Sequence, residues 1–130
     1  MRIKGIIIIL LLSVVFFGCK KKREVQIIGT WILVPMTEQP EEYPTRWTFI
    51  EDGTLEQANF EVVEYVAEYT LVYKFPKYYV DISGLGNETA DKSGRYRIDD
   101  LDDKFLKITR IENADGSTGG AFLRFEFMRE

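Results

Sequence analysis

Arg46-Trp47-Thr48-Phe49-Ile50, Glu51-Asp52-Gly53 and the run from Thr54 to Ala58 make up the stretch on which the fold turns. Trp47 and Phe49 are two residues apart, so in an extended chain both side chains project from one face. Glu51-Asp52-Gly53 offers a tight turn with a glycine free to adopt positive φ. The two runs are therefore expected to form a β-hairpin with one apolar face.

The same pattern continues on either side. Upstream, Ile28 to Val34 is β-branched and aromatic, and Pro35, which has no N–H to donate, ends it. A loop rich in Pro and Glu (Gln39 to Pro44) leads into the hairpin. Downstream, Phe60 to Phe75 admits two readings. Phe60, Val63, Ala67 and Leu71 fall at helical spacing, whereas Val63, Tyr65, Ala67, Tyr69, Leu71 and Tyr73 alternate as in a strand. The density of Val, Tyr and Thr favours the strand, with a bend or tight turn expected near Ala67-Glu68 because sixteen residues exceed a usual strand.

Four further runs follow: Tyr78 to Ile82, Arg95 to Ile98, Phe105 to Ile111 and Ala121 to Arg129. Polar segments separate them, at Ser83 to Ser93, at an acidic turn expected over Asp99 to Asp103, and at Ala114 to Gly120. In the last run Leu123, Phe125 and Phe127 are expected inward and Arg124 and Glu126 outward. The total is about eight antiparallel strands joined mostly by short turns, an all-β pattern that a sandwich or a closed up-and-down barrel would satisfy.

The N-terminus carries a different signal. Arg2 and Lys4 precede an apolar run from Ile6 to Phe17, then Gly18 and Cys19, the only cysteine. As a helix the run would reach about 18 Å at ~1.5 Å per residue, short of a bilayer core of roughly 30 Å, so it reads as a cleaved leader rather than a span. Phe16-Phe17-Gly18-Cys19 resembles the bacterial lipobox, with Phe16 where that motif usually carries Leu. The resemblance implies cleavage before Cys19 and its modification with fatty-acyl chains such as palmitate. The expected organisation is a signal peptide over 1–18, a lipidated basic tether over 19–25 containing Lys20, Lys21, Lys22 and Arg23, and a β-barrel over 26–130. Surface lipoproteins of Bacteroidota resemble one another in carrying acidic residues after the cysteine. The lysines here point instead to an outer membrane location facing the periplasm.

Loss of residues 1–18 would remove two cations and no acid, taking the net charge from −4 to −6 over 112 residues. An acidic body argues against nucleic acid, whose backbone demands a basic face. One cysteine excludes an internal disulfide, and the absence of histidine removes the commonest transition-metal ligand. Asp99, Asp100, Asp102 and Asp103 lack the glycine and spaced Glu of a calcium loop, and Glu112, Asn113, Asp115 and Ser117 around Gly116 read first as a turn. No metal, cofactor or catalysis is expected.

Gly29-Thr30-Trp31 at the start of the first strand resembles the Gly-x-Trp motif of the lipocalins. Trp47-Thr48-Phe49 followed by Asp52-Gly53-Thr54, and the closing Phe122-Leu123-Arg124-Phe125, look like elements of the small lipocalin-like lipoproteins of Bacteroidota. That resemblance implies a lipocalin-like barrel in which Trp31 plugs one end beneath an arginine of the last strand, Arg124 or Arg129. It also implies a cup for a small, mostly apolar ligand, with Tyr43, Trp47, Phe49, Tyr65, Tyr69, Tyr73 and Tyr96 as the candidate lining. The alternative is a filled barrel that binds a protein, as an inhibitor or envelope-assembly accessory, through its loops at 35–45 and 83–94.

Overall fold

The computed structural model describes residues 22–35, 44–59, 61–87, 90–118 and 123–130. Cys19, Tyr43 and Phe122, and most of the loop at 35–45, lie outside the described residues. A helical turn over 22–27 precedes ten strands: β1 (Gly29–Leu33), β2 (Thr45–Phe49), β3 (Thr54–Asn59), β4 (Val62–Lys74), β5 (Lys77–Ser83), β6 (Gly86–Asn87), β7 (Ala90–Asp91), β8 (Gly94–Leu101), β9 (Phe105–Asn113) and β10 (Arg124–Arg129). The helical turn runs across the boundary at residue 26 expected from sequence.

Eight of the strands close into an antiparallel up-and-down barrel in the order β1-β2-β3-β4-β5-β8-β9-β10, and β10 returns to pair with β1. β6 and β7 form a separate two-stranded flap in the β5–β8 connection. Closure removes the sheet edges that an open meander would leave unpaired. The barrel rather than the sandwich is thus the solution adopted.

β4 shows how the sheet curls shut. It pairs with β3 through Val62 to Glu68 and with β5 through Glu68 to Lys74, so that only Glu68 has ladder partners on both sides. Such stagger between neighbours is what lets tilted strands close on themselves. The break expected near Ala67-Glu68, a bend or tight turn, is accordingly absent, and β4 runs as one strand through that point as it passes from one partner to the other.

The irregularity lies instead at Glu64. Gln57 pairs with Tyr65 but Ala58 with Val63, leaving Glu64 as an extra residue in β4. One extra residue reverses the facing of everything beyond it. Tyr65, Ala67, Tyr69 and Leu71 keep the alternation expected from sequence, whereas Val63 is turned outward and exposed. A second bulge at Asp99 lies between the pairs Ile98–Ile108 and Asp100–Lys107. Asp99 and Asp100 therefore belong to β8, and the turn is confined to residues 102–104, where Asp102 accepts from the amides of Lys104 and Phe105, both at 2.7 Å.

The core is the inside of the barrel. Trp31, Trp47, Phe49, Leu55, Val80, Tyr96, Leu106, Ile108 and Phe127 are buried there, each contributing roughly 1.5–3 kcal/mol by leaving water. Phe125 packs against them, half-buried.

Candidate functional site: the barrel interior

The two ends of the barrel differ. At one end the helical turn 22–27 lies across the opening: Trp31 Nε1 donates to the Ile27 carbonyl at 2.8 Å, and Arg23 donates to the Leu101 carbonyl at 2.6 Å. Arg129 reaches over the same spot. Its guanidinium carbon stands 4.2 Å from the Trp31 ring centre, and it donates to the carbonyls of Ile28 (3.0 Å), Asp103 (2.9 Å) and Gln26. Of the two arginines considered, Arg129 occupies this position; Arg124 is exposed on the outer face beside Glu126 at 3.4 Å. Gly29 completes the plug. Its φ is +133°, and a Cβ there would sit 2.6 Å from Arg129 Nη1, so a side chain would collide with the guanidinium.

From the opposite end leave the connections β1–β2, β3–β4, β5–β8 and β9–β10. Between the ends an aromatic cluster occupies the interior: Trp47 lies 5.1 Å from Phe125 and 5.0 Å from Phe127, and Tyr96 stands 6.0 Å from Phe125, all between ring centres. Phe49 meets Tyr69 edge-on at 5.0 Å. The Tyr69 hydroxyl donates to the Ile50 carbonyl at 2.7 Å and the Tyr96 hydroxyl to the Lys92 carbonyl at 2.5 Å. Burial pushes both phenols up, with nearby carboxylates adding to the rise at Tyr69.

Of the residues singled out from sequence, the structure brings Trp47, Phe49, Tyr69 and Tyr96 into one interior. Tyr65 is half-buried towards this opposite end, where its hydroxyl meets Asn87 Nδ2 at 3.5 Å. Tyr73 is elsewhere, near the β4–β5 hairpin tip, with its ring 4.6 Å from Tyr78.

Gln57, which sequence reasoning passed over, is the informative addition. It is the cross-strand partner of Trp47, inward-facing and 4% exposed, and Trp47 is fully buried. Among the described residues neither Trp47 Nε1 nor Gln57 Oε1 has a hydrogen-bond partner. The amide orientation is chemically determined: Nε2 faces Glu64 Oε2 at 3.5 Å, and the reverse would set a carbonyl oxygen against a carboxylate. An unpaired donor and an unpaired acceptor thus stand on adjacent strands among packed aromatic rings. Each such group costs about 1–3 kcal/mol when left dry. A polar residue two positions from Leu55, on what must be the apolar face, was the available signal.

Two open clefts lie away from Trp47 and Gln57, neither of which lines them. One of about 800 Å³ is formed where the segments after β5, β7 and β9 meet, with Asp81, Asp91, Arg95, Glu112 and Asp115 among its walls. Asp81 there is held by Arg95 through two contacts of 2.7 and 2.8 Å. The other, of about 510 Å³, lies between the helical turn and the β2–β3 turn, bounded by Glu24, Val25, Asp52 and Tyr69. Among the described residues no three of His, Cys, Asp and Glu gather as a metal site.

Comparison with protein-family models, with curated proteins and with solved structures gives no match for this chain.

Proposed function

We propose that this protein is a lipid-anchored, lipocalin-like carrier of the cell envelope that holds a small, mostly apolar molecule inside its barrel and performs no chemistry on it. The unpaired Trp47 Nε1 and Gln57 Oε1 carry this reading. Buried polar groups are ordinarily paired, and ligand sites combine apolar walls with a few convergent polar groups. A hydroxyl would satisfy both at once, accepting from the indole N–H and donating to the amide oxygen. A carboxylate would not suit, since Glu64 stands directly behind Gln57. The ligand class is therefore a neutral, largely hydrocarbon molecule bearing a hydroxyl or an equivalent donor–acceptor group.

The anchor follows from the leader and Cys19, and the body would face the periplasm from the outer membrane. A protein-binding role rests on a different observation: Val62, Val63 and Val66 are 64, 47 and 65% exposed around the β4 bulge.

Native mass spectrometry of the protein purified from its own envelope tests the proposal. A co-purifying small molecule, lost from Trp47→Phe and Gln57→Leu, is the expected result. A clean mass together with a stable protein partner, released by Val66→Glu, would overturn the carrier in favour of the protein-binding barrel.

A further inference from the structure

The hairpin joining β4 to β5 ends in Lys74-Phe75-Pro76-Lys77, and Phe75 is 79% exposed, more than any other large apolar side chain described. Single exposed apolar residues are common. This one has company. Tyr73 lies 6.5 Å from Phe75 and 4.6 Å from Tyr78, making an aromatic trio outside the barrel core. Lys74 and Lys77 are cross-strand partners flanking the trio, both exposed.

The tip is at the plugged end, beside the point where the chain enters the barrel. Arg23 stands 5.8 Å from the Tyr78 ring centre, and Lys22 immediately before it is exposed. Cys19 is three residues upstream of Lys22. An extended chain covers at most about 3.3–3.6 Å per residue, so an acylated Cys19 would hold Lys22 within roughly 11 Å of the acyl attachment. The plugged end would then face the bilayer, bringing an exposed phenyl ring and several cations to the headgroups.

We propose that the β4–β5 tip is a membrane-docking finger, with Phe75 at the headgroup–acyl boundary of an anionic leaflet and Lys22, Lys74 and Lys77 against its phosphates. Aromatic rings favour that boundary, and cations near an anionic surface are attracted to it. The orientation rests on the proposed anchor at Cys19, while the finger itself is a property of the hairpin. Two contacts to the bilayer would fix the barrel's tilt, which a single anchor point would leave free.

The test uses full-length protein extracted from the envelope and reconstituted into vesicles containing brominated phospholipid, of phosphatidylcholine alone or mixed with phosphatidylglycerol. Phe75→Trp places a reporter at the tip, and Val66→Trp places one on the outer face near the other end; both must keep the wild-type urea midpoint. Trp31 and Trp47 are fully buried and shielded from the quencher. The reporter at position 75 is expected to lose about half its emission in the anionic vesicles, while that at position 66 is unaffected. Lys74→Glu with Lys77→Glu should abolish the loss. Mass analysis of the N-terminal peptide separates the two readings. If Cys19 is acylated and position 75 is quenched no more than position 66, the finger is overturned with the anchor intact. If Cys19 is unmodified the anchor fails, and the same comparison on added vesicles decides the finger: quenching at 75 upholds it and equal emission overturns it.

Discussion

Arg129 stacks over Trp31 at 4.2 Å while donating to three backbone carbonyls that lie outside the strand ladders. A cation–π contact contributes roughly 0.5–2 kcal/mol and a charge-assisted hydrogen bond about 1.5–3. Because the side chain is partly solvated, the sum overstates the effect. Arg129→Ala is expected to lower the unfolding free energy by about 2–4 kcal/mol, read as a fall in urea midpoint at unchanged slope. Arg129→Lys should recover less than half, since one ammonium cannot span three carbonyls.

Gly29 is coupled to that arginine. Gly29→Ala should cost about 1–3 kcal/mol from positive φ and from collision with Nη1. In the Arg129→Ala background only the backbone part remains, so the double-mutant cycle should show a smaller cost than in wild type. Equal costs in both backgrounds would contradict the close approach.

Gln57→Leu should separate stability from binding. It replaces an unpaired buried acceptor by a hydrocarbon of similar size, so the protein refolded free of small molecules should gain about 1 kcal/mol in denaturant unfolding. The same variant should lose the molecule retained by wild type. A destabilised Gln57→Leu protein would show that the amide's contacts, at Oε1 or through Nε2 to Glu64, outweigh the cost of the buried acceptor.

Stability should fall at both extremes of pH. Burial pushes Asp99 up, but the hydroxyl of Thr109 and the guanidinium of Arg97 outweigh it and leave the carboxyl below its ordinary value. A depressed folded pKa stabilises the native state above the unfolded value of about 3.9, and that contribution is lost as the pH falls through the folded value. Asp99→Asn should therefore flatten the acid limb of an unfolding-midpoint profile. Tyr96 has the opposite sign: burial raises its phenol well above 10.0, so its contribution is present below about pH 10 and lost on going higher. Tyr96→Phe should flatten the alkaline limb.

The period-two alternation made the barrel readable. Trp47 with Phe49, Leu106 with Ile108, and Phe125 with Phe127 all face where spacing places them. The same alternation distinguishes the two arginines: residue 129 shares the parity of Leu123, Phe125 and Phe127, whereas 124 does not. The bulges were less legible. Glu64 and Asp99 are ordinary acids in sequence, and their extra-residue role exists only relative to the register of a distant strand. Hence alternation alone puts Val63 with the inward set and Asp99 in a turn, and the register of the neighbouring strand moves both. Tyr73 likewise has the right parity for the interior, but β4 runs beyond the last residue β3 offers it, and the hairpin tip carries Tyr73 outside the cluster.

The seam between β1 and β10 has a kinetic meaning. Trp31 is paired with Arg129, and the amide of Glu130 donates to the Thr30 carbonyl at 3.0 Å, so the first strand made waits for the last. A chain synthesised from its N-terminus cannot complete this enclosure until the residues of β10 have emerged. Truncation by a single strand at the C-terminus would leave an open ribbon, with β1 and β9 each exposing a bare flank to neighbouring chains.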